Sequence, residues 1–144
     1  MHEFPHTYRV STVVDSDLDE VVLHSPGVPD LATAAPKEFD GPGNRWSPET
    51  LLTGAVCDCF VLGFRAVAAA SKLEWKRLEV EVDGTLSRVE RRMLFTAMRI
   101  RARLTVPSGH EGRAPRILDK AEEICLVTNS LSAEVDYEGE VIVA

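Results

Sequence analysis

One long apolar stretch, from Ser47 to Ser71, most constrains what this chain can fold into. Its start has the residues of a helix N-terminus: Ser47 can accept hydrogen bonds from the first free N–H groups, and Pro48 fits the first helical position. Glu49 then places a carboxylate at the positive end of the helix dipole. Because the following residues are apolar on nearly every side, we expect the rest of the fold to enclose this helix. The charges within it argue against a membrane span.

Cys59 lies midway along this helix, and Cys57, two positions earlier, should point to a different face. A cysteine on a buried helix is most often a small apolar packing residue, and the helix alone does not separate that interpretation from a functional one. Cys59 shares its face with mostly small residues, which favours close approach of another helix. The stripe comprises Leu52, Ala55, Cys59, Gly63, Ala66 and Ala70.

Composition and charge restrict the class of protein. A chain of 144 residues predicts one domain spanning residues 1–144. A formal charge of -7 argues against nucleic acid or an anionic membrane surface as a partner. The first ten residues lack the apolar core of a signal peptide, and three cysteines are an odd number, so we expect free thiols and a cytoplasmic location.

The remaining segments predict mostly strands. Residues 7–24 alternate as a hairpin, and the Pro- and Gly-rich loop 25–44 has room for a short strand at 31–34. Residues 73–88 and 94–107 predict two long strands joined by a turn in VERRM. A row of arginines on the second strand is either an anion site or, as we favour, the pairing partner of an acidic row on the first. The arginines are Arg99, Arg101 and Arg103, and the acidic residues are Glu79, Glu81 and Asp83.

A second helix is predicted from about Ala114 to residues 128–130, with Pro115 in its first turn, and a last strand from Leu131 to Val143. The order is strand, strand, short strand, helix, strand, strand, helix, strand. This order predicts an α+β fold in which antiparallel sheets surround a buried central helix.

Two blocks of this sequence resemble the OsmC/Ohr family, whose names refer to osmotically inducible protein C and organic hydroperoxide resistance. The resemblance covers most of the chain and is strongest over residues 47–64 and 114–131. The matching residues are Ser47-Pro48-Glu49, Leu51-Leu52, Ala55 and Cys59-Phe60 in the first block, and Ala121-Glu122, Cys125 and Thr128-Asn129-Ser130-Leu131 in the second.

The resemblance implies an intertwined homodimer that reduces organic hydroperoxides with its thiols, without a metal or other cofactor, and is recycled by a dithiol reductant. Cys59 matches the cysteine that attacks the peroxide, and Cys125 matches the resolving cysteine. Glu49 matches a glutamate that organises the active site. Cys57 has no counterpart in the family pattern, so we interpret it as structural or incidental. An apolar pocket would favour an organic hydroperoxide over hydrogen peroxide.

Helix geometry gives Glu49 a place in this scheme. It precedes Cys59 by ten residues, or roughly 15 Å along one helix, so the two side chains cannot touch within that helix. Crossing of two antiparallel central helices would bring Glu49 of one subunit toward Cys59 of the other. The alternative is a glutamate that only complements the helix dipole.

The sequence departs from the family pattern at two positions. Characterised family peroxidases have an arginine in an N-terminal loop that stabilises the thiolate, whereas residues 13–22 here are acidic and contain none. Arg45 and Arg9 are the available substitutes, and we predict that Arg45 pairs with Glu49 or lines the Cys59 pocket rather than facing solvent. The second departure is Leu126, where the family usually has proline.

The sequence is compatible with two other functions. One is a non-catalytic OsmC-like dimer that binds a small apolar ligand between its subunits. The other is a metal site built from Cys57, Cys59 and a histidine, which is disfavoured because Cys-x-Cys on a helix directs its thiols to different faces.

Overall fold

The computed structural model describes all residues from 1 to 144, and the chain divides into two compact units, Met1–Leu51 and Leu52–Ala144. The first unit contains strands β1 (Val21–Leu23) and β2 (Leu31–Thr33), a 3-10 helix (Lys37–Phe39), and the first turn of helix α1 (Pro48–Ala70). The second contains the rest of α1 and five further elements. These are β3 (Arg77–Val89), β4 (Arg92–Val106), α2 (Ala114–Glu123), α3 (Leu126–Asn129) and β5 (Glu134–Val143).

The first unit has less strand than predicted. β1 pairs antiparallel with β2, which confirms the short strand predicted in the loop. The hairpin predicted over residues 7–24 is reduced to one antiparallel bridge between Ser11 and His24 and a side-chain bond from Thr12 Oγ1 to the Val22 carbonyl, without a first strand. Residues 1–20 are exposed throughout, including their alternating apolar side chains.

Helix α1 begins as predicted. The Thr50 N–H donates to Ser47 Oγ at 3.2 Å, and the Ser47 N–H donates to Thr50 Oγ1 at 2.8 Å, so two otherwise free donors are satisfied reciprocally. The helix ends where Lys72 takes a left-handed conformation (φ 53°) and the Leu73 N–H donates to the Ala68 carbonyl. Arg113 Nη1 also donates to the Ser71 carbonyl at 2.7 Å, which fixes this end of α1 beside α2.

In a single chain one face of α1 is buried, and the enclosure of the whole helix in a dimer stays a prediction. The buried residues recur every four positions: Val56, Phe60, Phe64 and Ala68. Leu62, by contrast, is 56% exposed. By length and composition α1 is apolar enough to cross a membrane, a test that the core helix of a soluble protein also passes. In this structure its buried stripe packs in the core against the sheet.

Strands β3, β4 and β5 form one sheet, with α1 and α2 packed on its apolar face. β3 and β4 are antiparallel and joined by a two-residue turn at Glu90-Arg91, as predicted. Close packing with α1 requires the glycine at position 84, because a Cβ there would lie 2.5 Å from Thr53 Oγ1. β5 runs parallel to β4, so the prediction of purely antiparallel strands is wrong here. The helices between β4 and β5 carry the chain back across the sheet, and such a crossover gives a parallel pair.

The arginine row pairs with acidic side chains, but only Arg101 pairs as favoured with the acidic row of β3. Arg101 Nη2 lies 2.8 Å from Asp83 Oδ2 and 3.3 Å from Glu81 Oε2 on β3. Arg103 Nε pairs with Glu140 Oε2 of β5 at 3.2 Å. The second acidic row, on β5, was not foreseen, because the sequence pattern did not indicate that β5 pairs with β4.

The predicted second helix is interrupted. α2 ends at Glu123 and α3 begins at Leu126, with Cys125 extended between them (φ -63°, ψ 100°). Polar side chains hold the break: Asn129 Nδ2 donates to the Glu123 carbonyl, and Thr128 Oγ1 donates to the Cys125 carbonyl. Such side chains compete with the helical N–H groups for backbone carbonyls and can interrupt a helix. Apolar periodicity carries no information about these bonds, and it therefore predicted a continuous helix.

The Tyr137 hydroxyl on β5 is buried, and no protein group bonds it, although its ring packs 5.8 Å from the ring of Phe60. Burial, with the negative charges of Asp119 and Glu122, raises the pKa of Tyr137 to about 12. We expect Tyr137→Phe to raise the free energy of unfolding by about 1 kcal/mol, because it removes an unsatisfied buried hydroxyl and keeps the ring. Chemical denaturation measures this, and a loss of stability would show that the hydroxyl has a stabilising partner.

Candidate active site

Two of the predicted site residues, Cys59 and Cys125, come together. Cys59 lies on the half-buried part of α1, beside the buried Phe60, and the Cys125 thiol is near enough to help raise the pKa of Cys59. Cys125 is 1% exposed. The stripe of small residues allows this approach, since Ile124 and the Ala121 carbonyl lie at contact distance over Gly63. The predicted packing of the two cysteine-bearing segments is therefore found in one chain.

The break between α2 and α3 brings the backbone of Leu126 and Val127 near Cys59, where it acts to lower the pKa of the thiol. Sequence reasoning missed this, because it predicted a continuous helix through these residues.

These neighbours have opposing effects on the thiol. The pKa of Cys59 is raised, foremost by burial. The Val127 N–H acts against burial, the hydrogen bond and charge of Cys125 raise the pKa further, and the Leu126 N–H lowers it. In one isolated chain, Cys59 is thus a thiol whose deprotonation is disfavoured, foremost by burial.

Cys57 faces elsewhere, as predicted from its spacing. Its sulfur lies 3.9 Å from the Val80 carbonyl oxygen of β3. Burial and the nearby Asp58 carboxylate raise the pKa of Cys57. Cys57 therefore contacts the sheet, while Cys59 contacts the α2–α3 connection.

The other two predicted site residues lie in the first unit. Glu49 is half-buried in the first turn of α1. Arg45 Nε bonds Glu20 Oε2 at 3.0 Å, with about half of each side chain exposed. The guanidinium therefore already has an anionic partner from the acidic N-terminal segment. A role for Arg45 or Glu49 at the thiol stays a prediction.

The surroundings of the two thiols are apolar. Leu62 lies three residues after Cys59 and so on a neighbouring part of the same face. Leu126 is 68% exposed and Ile124 is 41% exposed on either side of Cys125. No group of three or more His, Cys, Asp or Glu side chains is placed to hold a metal ion. The arrangement offers a paired thiol site beside exposed apolar side chains.

The chain belongs to the family described as OsmC-like protein, whose model matches residues 41–139. It is 29% identical over 111 residues to the uncharacterized protein YmaD of Bacillus subtilis, covering 73% of each chain. It is 27% identical over 108 residues to an organic hydroperoxide resistance protein of Xanthomonas axonopodis, covering 74% of this chain and 75% of that one.

The fold is also that of solved OsmC-like structures. An OsmC-like protein of unknown function from Vibrio cholerae superimposes with a TM-score of 0.83 at 16% identity, over 96% of this chain and all of that one. At this identity the likeness shows the fold, which agrees with the predicted α+β class.

Proposed function

We propose that this protein is a thiol peroxidase that reduces organic hydroperoxides through a two-cysteine cycle. The observation that carries the proposal is the proximity of Cys59 and Cys125, whose thiols interact and whose helices pack together at Gly63. A sulfenic acid must meet a second thiol before it is oxidised further, and here that thiol is already adjacent and shielded from solvent. Membership of the OsmC-like family and similarity to organic hydroperoxide resistance proteins support the same reaction.

In the first step, the Cys59 thiolate attacks the terminal oxygen of the hydroperoxide. An S–O bond forms as the O–O bond breaks, and the leaving alkoxide takes a proton and departs as an alcohol. Cys59 is oxidised to a sulfenic acid. In the second step, the sulfur of Cys125 displaces the sulfenic oxygen, which leaves as water as the disulfide forms. A dithiol reductant then exchanges with this disulfide and is itself oxidised.

The substrate class follows from the surroundings of Cys59. Exposed Leu62, Ile124 and Leu126 provide apolar contacts for an alkyl or aryl group. Hydrogen peroxide has no such group and gains nothing from these contacts. With a dithiol reductant in excess, we therefore expect faster consumption of cumene or tert-butyl hydroperoxide than of hydrogen peroxide. Equal rates, or no consumption of any of the three, would contradict the proposal.

The working form in this proposal is a homodimer. One chain leaves much of α1 uncovered and exposes alternating apolar residues in its first twenty positions, including Val13 at 92%. A second chain would cover this surface and supply Glu49 toward the thiol of its partner. We expect light scattering to give the mass of two chains at micromolar concentration. A stable folded monomer would contradict this prediction.

One observation favours the alternative, a non-catalytic dimer that binds a small apolar ligand. Burial raises the pKa of Cys59, as expected of a packing cysteine. Thiol titration with and without organic hydroperoxide separates the two functions, because only the peroxidase loses two thiols per chain. Unchanged thiols together with saturable binding of an apolar dye would support the alternative.

A further inference from the structure

We propose that the far end of the β3–β4 hairpin, residues 86–93, binds the acidic N-terminal segment, residues 13–20, of a second copy of this chain. These two surfaces are named the hairpin tip and the acidic segment. The contact rests on the homodimer of the proposed function and deepens it, because it specifies which surfaces of the two copies meet.

The hairpin tip extends past the three-stranded sheet. β5 pairs with β4 only from Ala97 onward, whereas β3 and β4 continue as a pair as far as Val89 and Arg92. The edge of β4 at residues 92–96 therefore has no strand beside it. An open strand edge presents backbone N–H and C=O groups to which a further chain can bind.

The hairpin tip is basic and partly apolar. Arg88, Arg91 and Arg92 are exposed, and none of them forms an ion pair within the chain. Glu90 in the turn is the one acidic residue of the tip. Apolar side chains are exposed beside the arginines: Leu86, Val89 and Met93. Exposed apolar side chains that are grouped in this way are typical of an interaction surface.

The acidic segment has the complementary composition, with four carboxylates and no basic side chain. Glu20 pairs with Arg45, but Asp15, Asp17 and Asp19 form no ion pair within the chain. This segment also exposes apolar side chains: Val13, Val14 and Leu18. It therefore offers both the charge and the apolar surface that the hairpin tip lacks a partner for.

Both surfaces are uncovered in one chain, since Val13 is 92% exposed and Met93 is 57% exposed. Contact between two copies would bury apolar side chains and would place unpaired arginines beside unpaired aspartates. In a two-fold symmetric dimer this contact forms twice. An anionic lipid surface suits the hairpin tip less well, because the whole chain has a formal charge of -7 and would be repelled.

Charge reversal on either surface tests the contact. The tip variant is Arg88→Glu with Arg92→Glu, and the segment variant is Asp15→Arg with Asp17→Arg. We expect each variant alone to raise the dissociation constant of the dimer about tenfold, because both contacts in the dimer then join like charges. Analytical ultracentrifugation measures the dissociation constant, and circular dichroism verifies that each variant is folded.

The control variant is Arg116→Glu with Lys120→Glu, which makes the same change in net charge at exposed positions of α2. Its dissociation constant should remain close to that of the unchanged protein. The segment variant brings the chain nearer to neutrality, so general repulsion between copies cannot explain a weaker dimer there. An equal loss in the control and tip variants, or unchanged dissociation constants in the tip and segment variants, would overturn the proposal.

An equal mixture of the tip and segment variants distinguishes contact between copies from contact within one chain. In a heterodimer of the two, one contact is native and the other joins the two reversed surfaces, so opposite charges meet at both. We therefore expect the mixture to dimerise with nearly the dissociation constant of the unchanged protein. A mixture that dimerises no better than either variant alone would overturn the proposal.

Sedimentation with phosphatidylserine vesicles tests the alternative occupant. Vesicle binding that the tip variant loses while its dimerisation is unaffected would assign the hairpin tip to a lipid surface and overturn the proposal. None of these readouts uses peroxide. Rescue in the mixture without hydroperoxide consumption would retain the contact and reject the peroxidase, and consumption by a dimer indifferent to these charges would do the reverse.

Discussion

Cys59→Ser is expected to reduce turnover of cumene hydroperoxide to the uncatalysed rate. A serine hydroxyl at this position is hardly ionised near neutral pH and cannot cycle through a sulfenic acid and a disulfide, so both steps of the reaction are lost. The fold should be retained, because Cys59 lies outside the fully buried stripe of α1. Peroxide consumption in the presence of excess dithiol measures the effect.

Cys57→Ser is the matched control for this change. It makes the same substitution on the same helix, at a sulfur that faces the Val80 carbonyl of β3 rather than Cys125. Turnover should remain close to that of the unchanged protein. Equal loss in the two variants would mean that the cysteines do not have the separate roles assigned to them.

Cys125→Ser is expected to stop the cycle after its first step. Cys59 can still reduce one equivalent of hydroperoxide, but no second thiol is adjacent to form the disulfide. One sulfenic acid per chain should therefore accumulate and be trapped by dimedone, with the added mass on the Cys59 peptide. Absence of the adduct despite consumed hydroperoxide would show that Cys125 is needed for attack rather than for resolution.

A serine at position 125 would bury a hydroxyl, because Cys125 is 1% exposed, and this costs about 1–3 kcal/mol when the group is unsatisfied. Cys125→Ala separates this effect from the chemistry. It removes the thiol without burying a polar group, and should give the same dimedone adduct as the serine variant. Different adduct yields from the two variants would point to altered packing rather than to loss of the resolving thiol.

Local rules predicted those parts of the fold that depend on neighbouring residues. Ser47 and Pro48 determined the start of α1, and VERRM determined the turn between β3 and β4. Alternation along these strands placed the acidic and arginine rows opposite each other. The spacing of Cys57 and Cys59 on one helix likewise predicted their different faces. These features follow from the fixed residue spacing at which side chains repeat their direction along a helix or a strand. That spacing does not depend on what the element packs against.

Other features depend on partners distant in sequence. The exposed N-terminal segment alternates like a strand, but alternation does not indicate which surface it pairs with. The break at Cys125 depends on bonds from Thr128 and Asn129 to the backbone, which apolar periodicity does not register. The parallel pairing of β5 follows from the crossover of α2 and α3. The surroundings of Cys59 depend on that break, so sequence reasoning found the two thiols but not the backbone of residues 126 and 127 beside them.

The most direct test of the two-cysteine cycle is to count and locate free thiols after one equivalent of cumene hydroperoxide, without reductant. We predict that free thiols fall from three to one per chain, with Cys59 joined to Cys125 and Cys57 still reduced. Peptide mapping under non-reducing conditions identifies both. Three free thiols beside unconsumed hydroperoxide, or a disulfide that includes Cys57, would contradict the account.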